Sequence, residues 1–109
     1  GNHVSLLSGV SYTSSKHALN AMTETINMKY CNLGIRATAL CPGEVATAIL
    51  DKRPKKLSSE QKNKMLQTDD LGQTIVFLCQ MPKHVCINEL TISPTWHRRY
   101  IADLGVEKL

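Results

Sequence analysis

The sequence predicts an α/β fold built on a parallel sheet, and three observations carry that expectation. Apolar residues at Ala18, Leu19, Met22, Ile26 and Tyr30 recur at three- and four-residue steps, the mark of one helix face. A short, mostly apolar run over 35–41 follows and is closed by Pro42-Gly43, a strong turn signal. A second helical pattern over 68–81 then leads into a second short run at 89–93. Strands with little polar alternation, flanked by helices, belong to sheets covered on both faces. Alternation of the two element types is the pattern of the α/β class.

Each element has its own local reason. Residues 1–11 are rich in Ser and Gly and read as a loop, and the first helix is expected over 12–32. Asn32-Leu33-Gly34 supplies its stop, with Gly34 suited to a left-handed cap because it has no Cβ. Residues 44–56 read as a loop with one helical turn near 46–50. A short helix begins at Ser58-Ser59-Glu60, where either serine can accept hydrogen bonds from exposed N–H groups. Thr68-Asp69-Asp70 opens the next helix with its acids at the favourable end of the dipole. Its residues Leu71, Ile75, Val76, Leu78 and Cys79 are expected to face a core, and Pro82 ends it. Pro94 closes the second strand, and a last helix is expected around 99–104. Two strands do not make a stable open sheet alone, so the pattern implies further strands upstream.

The composition narrows the classes of function. The chain has 109 residues, 42% hydrophobic and 20% charged, as in a soluble globular domain. The net charge is +4, and Lys52, Arg53, Lys55 and Lys56 form a basic cluster. Such a run is ordinarily a solvated loop. Aromatic residues are only 5% and no nucleic-acid-binding motif accompanies it, so nucleic acid is not an expected partner. No apolar run reaches the roughly 18 residues of a membrane span. Cys31, Cys41, Cys79 and Cys86 form no C-x-x-C pair, which argues against a zinc site; reduced thiols in the cytoplasm are the expectation.

The chemistry concentrates in Tyr12-Thr13-Ser14-Ser15-Lys16. Four-residue spacing on a helix puts the phenol and the ammonium on one face, a turn apart. A free tyrosine, with a pKa of about 10, is a poor proton carrier at neutral pH. A neighbouring positive charge favours the phenolate and makes it a better one. By itself this spacing is also what an ordinary helix start with an exposed lysine shows.

The context is more specific. The stretch Tyr12-Thr13-Ser14-Ser15-Lys16-His17-Ala18-Leu19-Asn20 resembles the active-site helix of the short-chain dehydrogenase/reductase family. Gly34-Ile35-Arg36 and Cys41-Pro42-Gly43-Glu44-Val45-Ala46-Thr47 are similar to that family's glycine–isoleucine–arginine strand, proline-glycine turn and threonine. Order and spacing agree over roughly residues 8–95. The resemblance implies the C-terminal half of a single doubly wound, Rossmann-type domain. It implies an enzyme that moves hydride between NAD or NADP and a small carbonyl or alcohol substrate. Tyr12 would be the general acid/base, and Lys16 would bind the ribose hydroxyls and support Tyr12. Pro42 and Gly43 would lie beside the nicotinamide. Val45 would meet the carboxamide through its backbone, and the Thr47 hydroxyl would bond the carboxamide or a phosphate. Residues 48–66 would form a lid over the substrate, with the basic cluster inside it. The first helix would contact a second copy in a homo-oligomer, and Met22 and Met28 are expected either at that contact or in plain core packing.

Two family features are not found in these residues: the glycine-rich phosphate loop and the catalytic serine. Only three residues separate Ser8 from Tyr12, too few to connect a strand end to a helix start, so neither Ser5 nor Ser8 is assigned that role. The alternative expectation is a catalytically incomplete piece that acts only in dimerisation.

Overall fold

The computed structural model describes residues 8–52 and 57–105. Four helices, α1 (Val10–Tyr30), α2 (Ser59–Asn63), α3 (Thr68–Cys79) and α4 (Arg98–Asp103), accompany two strands, β1 (Ala39–Pro42) and β2 (Glu89–Ile92). The strands pair with each other. Ala39 N–H donates to Asn88 O, and Gly43 N–H donates to Ile92 O. Both partners advance by four residues, so the pairing is parallel. This is an α/β chain with a parallel sheet, as the alternation of elements predicts. Two compact units divide it. The first comprises Gly1–Cys41 and Leu78–Thr91, the second Pro42–Phe77 and Ile92–Leu109.

In the first unit α1 starts at Val10, two residues earlier than expected, and its last turn tightens into a 3-10 helix at Cys31–Leu33. Gly34 follows with φ 74°, and its N–H closes on Cys31 O. That is the left-handed cap its lack of a side chain allows. The expected apolar stripe is not the covered one. Leu19 is 47% and Met22 53% exposed, and among the stripe residues only Ile26 is half-buried. The covered face instead carries Thr13, Lys16, Asn20, Thr23, Ile26 and Asn27. Asn27 is the reason. Its Nδ2 donates to Ala37 O at 2.8 Å and its Oδ1 accepts from Ala37 N–H at 2.7 Å, which turns that face inward.

The same contact explains why β1 is shorter than the predicted run at 35–41. Ala37 spends both backbone groups on a side chain, not on a neighbouring strand. Arg36 is likewise engaged, donating to the carbonyls of Met81, Pro82 and Val85. Residues 35–38 are therefore tied down without a sheet ladder. Arg36 thereby ties this segment to the chain that follows α3.

The second unit holds the most buried side chains. Leu50, Met65 and Leu66 are 3%, 5% and 7% exposed, and Pro94 is buried with them. Burying each such side chain contributes about 1.5–3 kcal/mol. Ala48–Lys52 forms a 3-10 helix, close to the expected single turn at 46–50. Ser58 caps α2 as expected: its hydroxyl accepts from Gln61 N–H while the Gln61 side chain accepts from Ser58 N–H. That reciprocal pair is a capping box. The apolar residues of α3 do not all face a core. Leu71 and Leu78 are half-buried, whereas Ile75, Val76, Phe77 and Cys79 are exposed. Apolar residues ring this helix on more than one side, and among the described residues only one side is covered.

Candidate active site

The first unit brings Tyr12 and Lys16 together. Both lie in the opening turns of α1, and the Lys16 Nζ sits 5.6 Å from the centroid of the Tyr12 ring. That is within cation–π range. Four-residue helical spacing produces it directly. Tyr12 is exposed and Lys16 half-buried, so the phenol is open to a small molecule while the lysine stem packs. Ser15 Oγ donates to Tyr12 O, and His17 Nδ1 lies 2.9 Å from Thr13 O. These side chains serve the helix backbone near its start. No acidic residue occupies the first turn of α1. The positive end of the helix dipole is therefore not neutralised there and adds to the charge of Lys16. Ser8 forms a bend just before Gly9, the residue that precedes α1, and Ser5 lies outside the described residues.

A groove of about 670 Å³ runs along the covered face of α1, lined by Asn20, Thr23, Glu24, Asn27, Ala39 and Asn88 among others. Neither Tyr12 nor Lys16 lines it. Cys86 Sγ also reaches Asn27 Oδ1 and Ala37 O, which extends the hydrogen-bond tie towards β2. Sequence reasoning passed over Asn27. Its only signal is an amide in the middle of a helix, where such a side chain competes with the backbone unless it finds another partner.

The second unit carries Pro42, Gly43, Val45 and Thr47 on one segment that leaves β1. A Cβ on Gly43 would meet Pro94 Cδ at 3.3 Å and Ser93 at 3.4 Å, so the turn packs closely against the end of β2. Val45 pairs with Leu66 in an isolated parallel bridge. In that bridge Leu66 N–H donates to Glu44 O, and Ala46 N–H donates to Leu66 O. The N–H and C=O of Val45 therefore lie on the opposite edge of the segment, as alternation along an extended chain requires. Thr47 is exposed, and its carbonyl accepts from Leu50 N–H at the start of the 3-10 helix.

A second feature lay outside the sequence reading. Arg98, at the start of α4, donates from Nε to Glu44 Oε2 at 2.7 Å and from Nη2 to Glu44 Oε1. The two residues are 54 positions apart. Glu44 raises the Arg98 pKa further through this hydrogen bond, against the opposing effect of burial. No local pattern announces such a pair.

Of the expected lid, residues 48–66, both ends are rooted by Leu50 and by Met65 and Leu66. Lys62 Nζ and Asp51 Oδ1 bridge its two helical pieces at 2.8 Å. Residues 53–56 of the basic cluster lie outside the described residues. Among the described residues there is no group of three or more His, Cys, Asp or Glu side chains placed to hold a metal, and no helix is long and apolar enough to cross a membrane. All four cysteines carry free thiols.

Comparison with known proteins agrees with this arrangement. A family model described as short chain dehydrogenase matches residues 2–58. Farnesol dehydrogenase of Aedes aegypti is 35% identical over 85 residues, covering 76% of this chain and 33% of that protein. An oxidoreductase of Staphylococcus aureus is 28% identical over 83 residues, covering 76% of this chain and 34% of that protein. The crystal structure of a β-ketoacyl-[ACP] reductase from Bacteroides thetaiotaomicron superposes with a TM-score of 0.69 at 33% identity. It covers 83% of this chain and 37% of that chain. The chain thus spans about a third of the length of these relatives.

Proposed function

The chain belongs to the short-chain dehydrogenase family, and we propose from that premise that it is the C-terminal part of a single-domain, NAD(P)-dependent oxidoreductase acting on a small carbonyl or alcohol. Its fold is the C-terminal portion of a Rossmann-type parallel sheet. The observation that carries the proposal is the Tyr12–Lys16 pair at the start of α1, an exposed phenol beside an ammonium group. Relatives named for farnesol, an alcohol, and for a β-ketoacyl group, a carbonyl, support that range of substrates.

Each unit offers groups suited to part of a nicotinamide dinucleotide. Lys16 presents an ammonium donor suited to ribose hydroxyls. Val45 offers a backbone donor and acceptor on one edge of an extended segment, the complement of a carboxamide. Thr47 adds an exposed hydroxyl. Pro42 and Gly43 would flank the ring. When bound, the cofactor supplies or accepts the hydride. The chain's own work is with the proton. Tyr12 gives its phenolic proton to the carbonyl oxygen in reduction and takes one from the alcohol in oxidation. Lys16, one helical turn from Tyr12, would hold the ribose hydroxyls. Residues 48–66 would cover the substrate.

The test is turnover by the whole protein that carries this sequence, with NADH or NADPH and a panel of aliphatic ketones and alcohols. Tyr12→Phe is expected to lower kcat by about 10²–10⁴-fold while cofactor binding persists. A Tyr12→Phe protein with unchanged turnover would sink the assignment. A second reading, an interaction piece that docks a second copy, is favoured by the exposed Leu19, Met22 and Met28 of α1. Homo-oligomerisation through that helix is compatible with either reading.

A further inference from the structure

The segment 42–47 is held from three directions, all within the second unit. Gly43 N–H donates to Ile92 O at 2.8 Å, which ties its start to β2. Leu66 brackets Val45 by bonding Glu44 O and Ala46 N–H, which ties its middle to the far end of the lid. The third hold is a side chain. Arg98 grips the Glu44 carboxylate with two donors, in the fork-to-fork geometry that gives such pairs both strength and direction. Both partners are about one-third exposed, at 37% and 31% for their side chains, so the pair is only partly shielded from water.

Arg98 is itself fixed. The tail that carries it leaves β2 through Ser93 and Pro94, which pack against Gly43. Trp96 follows, with Lys64 Nζ lying 5.3 Å from its ring centroid. His97 then accepts from Arg99 N–H and opens α4. Arg98 therefore projects from an anchored tail, not from a free end.

We propose that Arg98 is a positioning residue: through Glu44 it sets the conformation of segment 42–47, and thereby how firmly the Val45 backbone grips the nicotinamide end of the cofactor. The cofactor half of this statement rests on the function proposed above. The hold on the segment does not. Glu44 immediately follows the Pro-Gly turn and precedes Val45, so any rotation of its backbone is passed directly to the Val45 N–H and C=O. Two of the three holds are backbone bonds common to any sequence. Arg98 is the one that depends on side-chain identity, and it is where the tail sequence can tune the site.

Two readouts on the whole protein test this. The first is hydrogen exchange at the amides of Gly43, Ala46 and Leu66, compared with those of Thr23 and Asn27 in α1. Arg98→Met keeps the aliphatic stem and removes the fork. It is expected to speed exchange in the segment about tenfold while α1 is unchanged. Arg98→Lys, with one donor in place of two, is expected to restore part of the protection. The second readout is the fluorescence of bound NADPH or NADH. Arg98→Met and Glu44→Gln are expected to weaken cofactor binding by about tenfold, and the double variant by no more than either alone. With saturating cofactor, kcat should stay near that of the unaltered protein. Unchanged exchange in the segment would overturn the proposal. So would a uniform loss, in which α1 exchange, melting temperature, kcat and cofactor affinity all fall together. If the unaltered protein binds neither dinucleotide, the proposed function and the cofactor half of this inference both fall, and exchange alone decides whether Arg98 holds the segment.

Discussion

The two units order their site residues by different means. In the first, the helix bearing Tyr12 and Lys16 is tied through a polar face. Asn27 makes a two-bond contact with Ala37, and none of the described residues of α1 is fully buried. In the second, the segment bearing Pro42, Gly43, Val45 and Thr47 lies among the most buried side chains, packing against Pro94 at Gly43 and bonding the backbone of buried Leu66. Directional bonds place an element accurately but contribute little net stability, about 0.5–1.5 kcal/mol each, because water competes for the same groups. Apolar burial is stronger and less particular about angle.

Substitutions can break this contrast, and the largest effect is chemical. Tyr12→Phe in the first unit should cost about 10²–10⁴-fold in kcat, whereas Thr47→Ala in the second should act chiefly on cofactor affinity. Steady-state kinetics with each substrate varied in turn separates the two; equal effects on kcat would erase the division of labour. Next in size is the apolar base. Leu50→Ala should destabilise the protein by about 2–5 kcal/mol, read from denaturant midpoints, because the cavity it leaves cannot close fully. A loss under about 1 kcal/mol would mean that Leu50 is not the anchor its 3% exposure indicates.

Asn27→Leu should cost about 1–3 kcal/mol, since it strands the Ala37 N–H and leaves Ala37 O only the weak Cys86 thiol donor. Exchange at the Ala37 amide is the sensitive measurement, and an amide that stays protected would show that another group takes over. The smallest effect is expected at a cap. Ser58→Ala should remove one half of the capping box and cost about 0.5–2 kcal/mol, while Gln61→Ala removes the other half. If the two losses are independent and additive, the reciprocal pair is not cooperative.

The parts of this molecule that were legible in the sequence are those governed by near neighbours. The Tyr12–Lys16 contact follows from helical spacing, and the stop at Gly34 from the left-handed backbone that glycine alone takes without strain. The start of α2 follows from the serines at 58 and 59, either of which could cap it, and Ser58 does. Each depends on groups within about one helical turn, so a short window of sequence contains every participant.

Three features needed the folded chain. Which face of α1 is covered turned on Asn27 finding Ala37, against an apolar stripe that pointed the other way. The start of β1 at Ala39 turned on the same bond, because Ala37 has only one N–H and one C=O to give. The hold on segment 42–47 turned on Glu44 meeting Arg98 across 54 positions of sequence. In each case the partner is distant along the chain, and a polar side chain's choice of partner depends on what the fold brings within about 3 Å of it. Spacing and propensity settle the ends of helices; only the meeting of remote segments settles which polar groups are satisfied, and therefore which surfaces turn inward.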